Sequence, residues 1–499
     1  MKLILFYCIF LLGLPVQSIL AQQQHMTQEE VELDYLERYE KENPPTSVMP
    51  LPGNEEDEYL YGARIQRFVT LLASSNERKR LPVSILIYGQ SITGSKIFTD
   101  YLRNYLKRRF PYAALTIRNR AIGGFVGEQL VHTAEHDLYH TNADLIIFHV
   151  YGGENHGELE TMFARIRKYS TADILLLNHH VSSNLAIEYD ESSYGYLGYI
   201  ANKYNCELVD LTKSWGRYLV EHNLKVKDLL RDDIHPNKHG NWLMTQLIGK
   251  HIRFNTLFPS DWYQRVQTYY VHTMQEPIRF PDEVWSEIEG VCYGENPGQS
   301  LVLRFEGSRV DLIAGIIPNG MRLGSAKIVI DKKPVSLYTI TRPSAGPGTW
   351  WPLVRRINHK ADLIQEKWTM RIDRVNPDST IWTFHVCGSK TGFDGSGTSD
   401  KPFVSTSGRV VIEKDDFMFT RIKEGFHVAI EPGFEASWEV EPLFKEIYKA
   451  PHTEDPTFVY KTTIVQGLSN GSHTLEIIPL GDGIVPIEAI EIHRPPLVY

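Results

Sequence analysis

The sequence predicts an α/β domain built on a parallel sheet, followed by an all-β sandwich. Between Leu81 and Phe254, short apolar runs alternate with helical segments, and such runs are typical of parallel strands buried on both faces. After about Phe280 the chain consists of short β-type runs separated by Gly, Pro, Asn and Asp, which favours a sandwich. A chain of 499 residues also exceeds what one hydrophobic core usually organises, so two or three domains are expected.

The chain begins with the features of a secretory signal peptide. Met1-Lys2 provides a basic start, an apolar stretch extends to Leu14, and small residues precede Ala21. Because the apolar stretch is short for a helix that crosses a bilayer, we expect residues 1–21 to be cleaved. The mature protein would then be exported to the periplasm or the extracellular space without stable membrane insertion. Residues 22–80 are expected to form a polar linker with a helical segment.

Residues 81–258 are predicted to hold the parallel sheet and its helices. Most apolar runs of this segment are followed by a helical pattern, so we expect crossover helices to join consecutive strands. The expected strands are Val83–Tyr88, Leu115–Arg118, Leu145–Val150, Ile174–Asn178 and Cys206–Leu211. The expected helices are Ile97–Arg109, Gly127–Tyr139, Leu159–Tyr169, Tyr194–Tyr204 and Asn241–Arg253.

Residues 281–499 are predicted to form the sandwich, with a large insertion near residues 343–451. The pair Trp350-Trp351 follows a glycine-rich turn, where tryptophans either stack on sugar rings or enter a core, and both interpretations stay open. The glycine-rich run from Gly392 to Gly397 is interpreted as a turn-rich loop. The expected strands are Ser300–Phe305, Val310–Ala314, Ala326–Ile330, Trp368–Val375, Thr380–Val386, Arg409–Ile412 and Thr474–Ile478.

Composition and charge narrow the range of partners and cofactors. The formal net charge of −9 is spread along the chain, which argues against nucleic acid or an anionic membrane as the main partner. Beyond the signal peptide, Cys206, Cys292 and Cys387 are too few for a disulfide framework, although a pair between the last two stays open. His132 and His136 lie one helical turn apart, as in some zinc sites. Without a separated third ligand, a partly exposed polar helix face is favoured and no metal is expected.

Four short segments carry residue types suited to catalysis by a serine nucleophile. A serine hydroxyl needs a base to remove its proton, and imidazole is the usual base. An aspartate three residues before the imidazole can orient it, while glycine N–H groups and a side-chain amide can stabilise an oxyanion. Three of the segments follow predicted strands and the last precedes the closing helix. They are Gly89-Gln90-Ser91, Asn119 to Gly124, Gly153-Glu154-Asn155 and Asp232-Asp233-Ile234-His235.

In this order and at these spacings, the four segments resemble the sequence blocks of the SGNH (GDSL-type) hydrolases. The resemblance covers about one third of the chain and implies a flavodoxin-like fold for it. It implies that Ser91 is the nucleophile, His235 the base and Asp232 the acid that orients the base. It also implies an oxyanion hole formed by the backbone N–H groups of Ser91 and Gly124 and the side-chain amide of Asn155. No metal or organic cofactor is implied.

Three positions depart from the family pattern. Gln90 stands where the first block usually has aspartate, and some carbohydrate acetylesterases of related fold are similar in carrying Gly-Gln-Ser. His156 follows Asn155 where aspartate is usual, which bears on the support around the oxyanion site. Asp233 competes with Asp232 as the orienting acid, and the spacing favours Asp232.

These features predict an exported serine esterase that removes acyl groups, chiefly O-acetyl groups, from a polysaccharide or oligosaccharide. The strand patterns of the sandwich loosely resemble the jelly-roll modules attached to carbohydrate esterases. The carbohydrate substrate is expected only from export, this sandwich and the habit of the family. An esterase acting on lipids or other esters, an inactive carbohydrate-binding protein and a glycosidase stay open as alternatives. A glycosidase usually needs two carboxylates, and Glu154 would have to join Asp232 or Asp233. His179 and His180 end a predicted strand and are interpreted as polar loop residues, with a place in the cleft as the alternative.

Overall fold

The computed structural model describes residues 58–151, 157–182, 191–255, 265–318, 320–333, 337–346, 350–418 and 430–496. The predicted signal peptide, most of the predicted linker, and Glu154, Asn155 and His156 lie outside the described residues. None of the helices in the described ranges combines the length and apolar character needed to span a membrane.

A five-stranded parallel sheet forms the first half of the described chain. The strands are β1 (Pro82–Gly89), β2 (Ala114–Asn119), β3 (Leu145–His149), β4 (Asp173–Leu177) and β5 (Glu207–Val209). They follow the order β2-β1-β3-β4-β5, which is the flavodoxin-like order. Each adjacent pair is parallel, and β1 lies between β2 and β3. The predicted fold class is confirmed.

Helices cover both faces of this sheet because its strands are apolar on both sides. In β1, Ile85 and Ile87 enter one core, whereas Leu86 and Tyr88 enter the core on the opposite face, as the two-residue period of a strand requires. The helices are α1 (Gln66–Ser74), α2 (Ser91–Gly94), α3 (Lys96–Arg109), α4 (Gly127–Asp137), α5 (Glu158–Tyr169), α6 (Glu191–Lys203), α7 (Leu211–Glu221) and α8 (Lys238–His251). Short 3-10 turns occupy Glu58–Leu60, Val226–Leu229, Val271–Thr273 and Lys414–Asp416.

One expected strand is shorter than predicted because a helix begins at its end. The predicted strand over residues 206–211 is only β5, since Asp210 caps the N-terminus of α7 by accepting a hydrogen bond from the Lys213 N–H at 3.1 Å. The sequence analysis did not predict α7. Its buried Trp215 and Tyr218 belong to the core beside α8.

Antiparallel strands make up the rest of the chain. The strands are β6 (Val266–Tyr270), β7 (Ile278–Arg279), β8 (Ser286–Ile288), β9 (Val291–Gly294), β10 (Leu301–Gly307), β11 (Arg309–Ala314), β12 (Ser325–Ile330), β13 (Tyr338–Ile340), β14 (Lys367–Val375), β15 (Trp382–Gly388), β16 (Gly392–Thr398), β17 (Phe403–Val404), β18 (Val411–Ile412), β19 (Glu435–Pro442), β20 (Ile447–Lys449), β21 (Lys461–Val465), β22 (Gly471–Pro479) and β23 (Val485–His493). One sheet has the order β20-β12-β22-β10-β7. A second sheet has the order β21-β11-β23-β9-β8, with β6 beside β23, and the apolar faces of the two sheets share one core.

A third sheet is formed by the chain between β12 and β20, with the order β13-β19-β14-β15-β16 and a core of its own. The interpretation of its glycine-rich run as a loop was wrong, because β16 pairs with β15. A Cβ at Gly397 would lie 2.7 and 2.8 Å from the rings of Phe403 and Phe384, so glycine makes room for these aromatic residues. Cys387, in β15, and Cys292, in β9, are both free thiols.

The third sheet packs against α4 of the first domain through polar contacts. His136 Nδ1 donates to the carbonyl of Ile340 at 2.9 Å, and its Nε2 accepts from the N–H of Ile357 at 3.1 Å. Arg342 lies 3.1 Å from the buried carboxylate of Asp137, and Nδ1 of His132 contacts the buried Asp416. The two histidines at helical spacing therefore dock the third sheet.

Candidate active site

Ser91 lies where β1 ends and α2 begins. Gly89 precedes it with φ +141°, and a Cβ there would lie 1.9 Å from the carbonyl oxygen of His149 at the end of β3. Only glycine allows the two strands to approach so closely, and this approach brings Ser91 to the carboxyl edge of the sheet.

His235 lies in the loop that precedes α8. The loop is closed by a hydrogen bond from the Arg231 N–H to the His235 carbonyl at 2.9 Å and by a bridge between Leu230 and Pro236. Asn237 then caps α8 by accepting from the N–H of Gly240 at 3.0 Å. The loop therefore has a fixed shape, and it points the imidazole towards Ser91.

Ser91, His235 and Asp232 form a continuous chain of hydrogen bonds. The Ser91 Oγ lies 2.8 Å from His235 Nε2, and His235 Nδ1 lies 2.8 Å from Asp232 Oδ2. The other carboxylate oxygen of Asp232 accepts from the N–H groups of Ile234 and His235 at 2.8 and 2.6 Å. Asp233 is exposed and Asp232 is the aspartate that contacts the imidazole.

The pKa of Asp232 is held below its usual value. Partial burial alone would raise this pKa, but the hydrogen bonds from the side chain and backbone of His235 and from the backbone of Ile234 outweigh burial. The carboxylate is thus charged near neutral pH. It is suited to fix the Nδ1–H tautomer of His235 and to stabilise a proton taken up at Nε2.

Ser91 and Gly124 carry the two backbone N–H groups that were expected in the oxyanion hole. Gly124 is exposed in the loop before α4, has φ +78° and lines the same cavity as Ser91. Among the described residues, no hydrogen-bond acceptor pairs with the N–H of Ser91 or of Gly124. Unpaired N–H groups next to a nucleophile can stabilise an oxyanion. The predicted third donor, Asn155, is outside the described residues and stays a prediction.

Asn119 and Gln90 tie the loops around Ser91 to the sheet. The Nδ2 group of Asn119 donates to the Thr93 carbonyl at 2.7 Å, and its Oδ1 accepts from the Ala121 N–H at 3.1 Å. Gln90 is buried, and its Nε2 donates to the Tyr151 carbonyl at 2.7 Å. Gln90 thus makes a bond that an ionised aspartate, the residue usual at this place in the SGNH hydrolases, cannot make.

A cavity of about 390 Å³ opens beside Ser91 and His235. Ile92, Val126, Ile234 and Trp350 contribute apolar surface, whereas Arg231 and Tyr151 contribute polar groups at its wall. The sequence analysis did not single out Arg231, Tyr151 or Val126. The one signal in the sequence that could have identified these residues is that each lies next to one of the four segments.

Three buried histidines lie behind the cavity. His179 lines it and stacks on Tyr151 with ring centroids 4.1 Å apart, and its Nδ1 is 3.4 Å from Nε2 of His149. His180 Nε2 donates to the Ile234 carbonyl at 2.7 Å and so supports the loop that holds His235. Burial lowers the pKa of His149 to about 3, that of His180 to about 4 and that of His179 well below its usual value. These rings are therefore neutral near pH 7. His179 lies in the cleft, which was the alternative to its interpretation as a polar loop residue.

Trp350 and Trp351, in the segment that joins β13 and β14 of the third sheet, lie over the same loop as Gly124. The indole N–H of Trp350 donates to the Gly123 carbonyl at 3.0 Å, and that of Trp351 donates to the same oxygen at 2.7 Å. Trp350 also lines the cavity, whereas the ring of Trp351 lies 6.1 Å from the ring of Phe125.

One cluster of acidic and imidazole side chains has the spacing of a cation site. Asp311, Glu491 and His493 bring ligand atoms within 4.8 Å of one another in the described part of the sandwich. Arg309 already pairs with Asp311, and Lys461 with Glu491, both at 2.5 Å. The positive charge of these two side chains already balances the carboxylates.

Comparisons with known proteins give weak likenesses. No family model matches the chain, and no curated protein matches it. A two-domain esterase (CEX) active on acetylated mannans, co-crystallised with mannopentaose, is 14% identical, covers 88% of this chain and 96% of its own, and has a TM-score of 0.34. The acetyl xylan esterase AlAXEase is 18% identical over 34% of this chain and 100% of its own, with a TM-score of 0.30. Axe2, an acetylxylan esterase from Geobacillus stearothermophilus, is 17% identical over 37% and 100%, with a TM-score of 0.30. Identities and TM-scores this low assign no function to the chain.

Proposed function

We propose that this protein is a serine esterase of SGNH type that removes O-acetyl groups from a polysaccharide or oligosaccharide. The observation that carries the proposal is the hydrogen-bonded chain from Ser91 Oγ through His235 to Asp232, with 2.8 Å at each step. This arrangement lets an imidazole take the serine proton as the oxygen attacks a carbonyl carbon.

In the first half of the proposed reaction, the Ser91 oxygen forms a bond to the acetyl carbon while His235 Nε2 accepts the hydroxyl proton. The resulting tetrahedral intermediate carries a negative charge on the former carbonyl oxygen. As it collapses, the bond to the sugar oxygen breaks and His235 returns the proton to that leaving oxygen. The products of this half are the free sugar hydroxyl and an acetyl ester on Ser91.

In the second half, water replaces the sugar. His235 takes a proton from the water, whose oxygen attacks the acetyl carbon, and collapse of the second intermediate returns the proton to the oxygen of Ser91. Acetate leaves and the hydroxyl of Ser91 is restored. Asp232 stays ionised throughout and stabilises the imidazolium in both halves.

The N–H groups of Ser91 and Gly124 stabilise the oxyanion in this proposal, with the Asn155 amide as a third donor. Their closeness to the nucleophile and their lack of another acceptor among the described residues support the first two. Loss of one such donor typically lowers the rate by about 100- to 1000-fold.

An acetyl ester of a sugar fits the character of the cavity. Ile92 and Val126 offer a small apolar wall next to Ser91, where a methyl group can be buried. Trp350 and Tyr151 offer aromatic surface of the type on which sugar rings stack, and Arg231 can donate hydrogen bonds to hydroxyl or carboxylate groups. In the same proposal, residues 1–21 direct export, residues 81–258 carry catalysis and residues 281–499, with the insertion near 343–451, form an accessory module.

Acetate release from a panel of acetylated plant and bacterial polysaccharides tests this function. We expect release by the wild type, none by Ser91→Ala, and labelling of the wild type alone by a serine-reactive fluorophosphonate. Activity on long-chain esters without activity on acetylated glycans would instead support a lipid esterase. Binding of glycans without labelling or turnover would support an inactive carbohydrate-binding protein.

A further inference from the structure

We propose that the two tryptophans in the connection between β13 and β14 of the third sheet are positioning residues for the oxyanion hole. In this inference, which rests on the proposed function, Trp350 and Trp351 hold the carbonyl of Gly123 and thereby aim the N–H of Gly124 at the reacting oxygen. The third sheet would then be part of the catalytic unit, although it contributes none of the groups that the sequence analysis connected with catalysis.

The peptide between Gly123 and Gly124 is held at its carbonyl oxygen. This oxygen accepts both indole N–H groups, at 3.0 and 2.7 Å, so both of its lone pairs are used. The peptide is trans, because the cis bond found in the described residues is elsewhere, between Glu276 and Pro277. In a trans peptide the C=O and N–H point in opposite directions. Fixing the oxygen on the tryptophans therefore fixes the N–H on the side away from them.

The same peptide lies next to Ser91, at the wall of the cavity. A Cβ on Gly123 would lie 3.6 Å from the Cβ of Ser91, so this segment lies directly against the nucleophile. Gly124 lines the cavity and its N–H has no acceptor among the described residues. Donors on a carbonyl also polarise the N–H of the same peptide, which strengthens that N–H as a donor.

The backbone of Gly123 and Gly124 needs contacts from outside the loop to fix its conformation. Two consecutive glycines impose little restriction on their own backbone, and a rotation of the peptide between them would turn the N–H away from the substrate. Trp351 opposes that rotation from behind, since a Cβ on Gly124 would already lie 3.2 Å from its Cζ2. An oxyanion hole is effective only when its donors are in place before the reaction, so a fixed peptide is an advantage.

The tryptophans are themselves held by the docking of the third sheet on α4. Arg342 pairs with the buried Asp137 at 3.1 Å and also donates to the Arg120 carbonyl at 3.3 Å. His136 bonds the backbone of Ile340 in β13 and that of Ile357 in the connection between β13 and β14. Because α4 begins at Gly127, three residues after Gly124, the sheet grips both the loop and the helix that follows it.

Replacing the indole N–H at Trp351 by sulfur tests the proposal. Incorporation of β-(3-benzothienyl)alanine keeps the size of the ring and removes the donor, and Trp351 is preferred because it does not line the cavity. Trp382 is the matched control, since it lies in the core of the same sheet and its indole N–H has no hydrogen-bond partner among the described residues. The probe is 4-nitrophenyl acetate, with methylboronic acid as a mimic of the tetrahedral intermediate.

We expect the Trp351 isostere to lower kcat by about tenfold, less than the loss typical of deleting an oxyanion donor outright. KM and the pH profile of kcat/KM should stay as in the wild type, and inhibition by methylboronic acid should weaken by the same factor as kcat falls. The Trp382 isostere should match the wild type in all of these. The conventional variant Trp351→Phe should follow the isostere if it keeps the melting temperature of the wild type.

An active wild type and a Trp351 isostere with unchanged kcat would overturn this inference and leave the proposed function standing. An equal loss in the Trp382 isostere would overturn it as well, because the effect would then come from the sheet as a whole. A wild type with neither turnover nor fluorophosphonate labelling would overturn the proposed function, and this inference with it.

Discussion

The hydroxyl of Ser91 lies 2.8 Å from Nε2 of His235, although the two residues are 144 positions apart in the chain. Ser91 is fixed by the end of β1 and the start of α2, and His235 by the closed loop before α8. The end of β1 and the loop before α8 both lie at the carboxyl edge of the parallel sheet, so the contact is a consequence of the topology.

Because these two side chains act as a unit in the proposed reaction, their removal should not be additive. We expect Ser91→Ala and His235→Ala each to lower kcat for 4-nitrophenyl acetate by at least about 1000-fold. The double variant should be no slower than the slower single one. A double variant whose loss equals the product of the two single losses would show that the residues act independently.

Asp232 and Asp233 form a natural pair of test and control. We expect Asp232→Asn to lower kcat by about 10,000-fold, because an amide no longer holds the productive tautomer of His235. Asp233→Asn should stay within about twofold, since exposed side chains away from the reacting groups contribute little. Equal losses in both variants would contradict the assignment of Asp232.

The strands and the order of the site segments were predictable because buried parallel strands have a simple apolar signature. The expected strand ends agree with β1 to β4 within about a residue or two, and the segment with Ser91 follows β1 as expected. The helix α7 was not predicted, since a cap at Asp210 directly after a three-residue strand leaves no loop to mark the boundary.

The contribution of the third sheet to the cavity could not be predicted. Trp350 is 227 positions from Gly123, and a contact over such a distance leaves no periodic signal in a single sequence. For the same reason, His136 on α4 was interpreted as part of a polar face, because its backbone partners at Ile340 and Ile357 lie 204 and 221 positions away in the chain.

A side chain at Gly124 should lower both activity and stability. We expect Gly124→Ala to lower kcat at least tenfold and to cost about 1–3 kcal/mol of stability, because its φ of +78° disfavours other residues and a Cβ would lie 3.2 Å from Trp351. Gly290→Ala, in the turn between β8 and β9, is the control, since φ is +82° there and no atom of the described residues lies within 4 Å of the added carbon. It should lose stability by denaturant unfolding while its kcat stays unchanged; a fall in kcat equal to that of Gly124→Ala would point to a general effect of strain.

Replacing Gln90 by aspartate, the residue usual at this place in the SGNH hydrolases, should harm this protein. In Gln90→Asp and in the longer Gln90→Glu, an ionised carboxylate would face the Tyr151 carbonyl that now accepts a hydrogen bond at 2.7 Å. Leaving such a buried acceptor unpaired costs about 1–3 kcal/mol, and a small displacement of Ser91 lowers the rate by up to about 100-fold. Thermal melting and kcat should both fall, and a Gln90→Asp variant faster than the wild type would contradict this role for Gln90.

Stability should fall as the pH drops from about 6.5 to about 4 because several buried histidines are neutral in the folded protein. Burial is the main cause that lowers the pKa of His136, His180 and His493 to about 4, from an ordinary value of 6.5. Unfolding raises each pKa again, so the unfolded chain takes up protons in this window and is favoured, while above pH 6.5 and below about 4 the effect no longer changes. In His136→Gln, whose amide can still pair with Ile340 and Ile357, one of these groups is gone. Urea unfolding at pH 7.5, 6 and 5 should therefore show a shallower loss of stability for this variant than for the wild type, and equal slopes would mean that His136 is not among the groups that take up protons on unfolding.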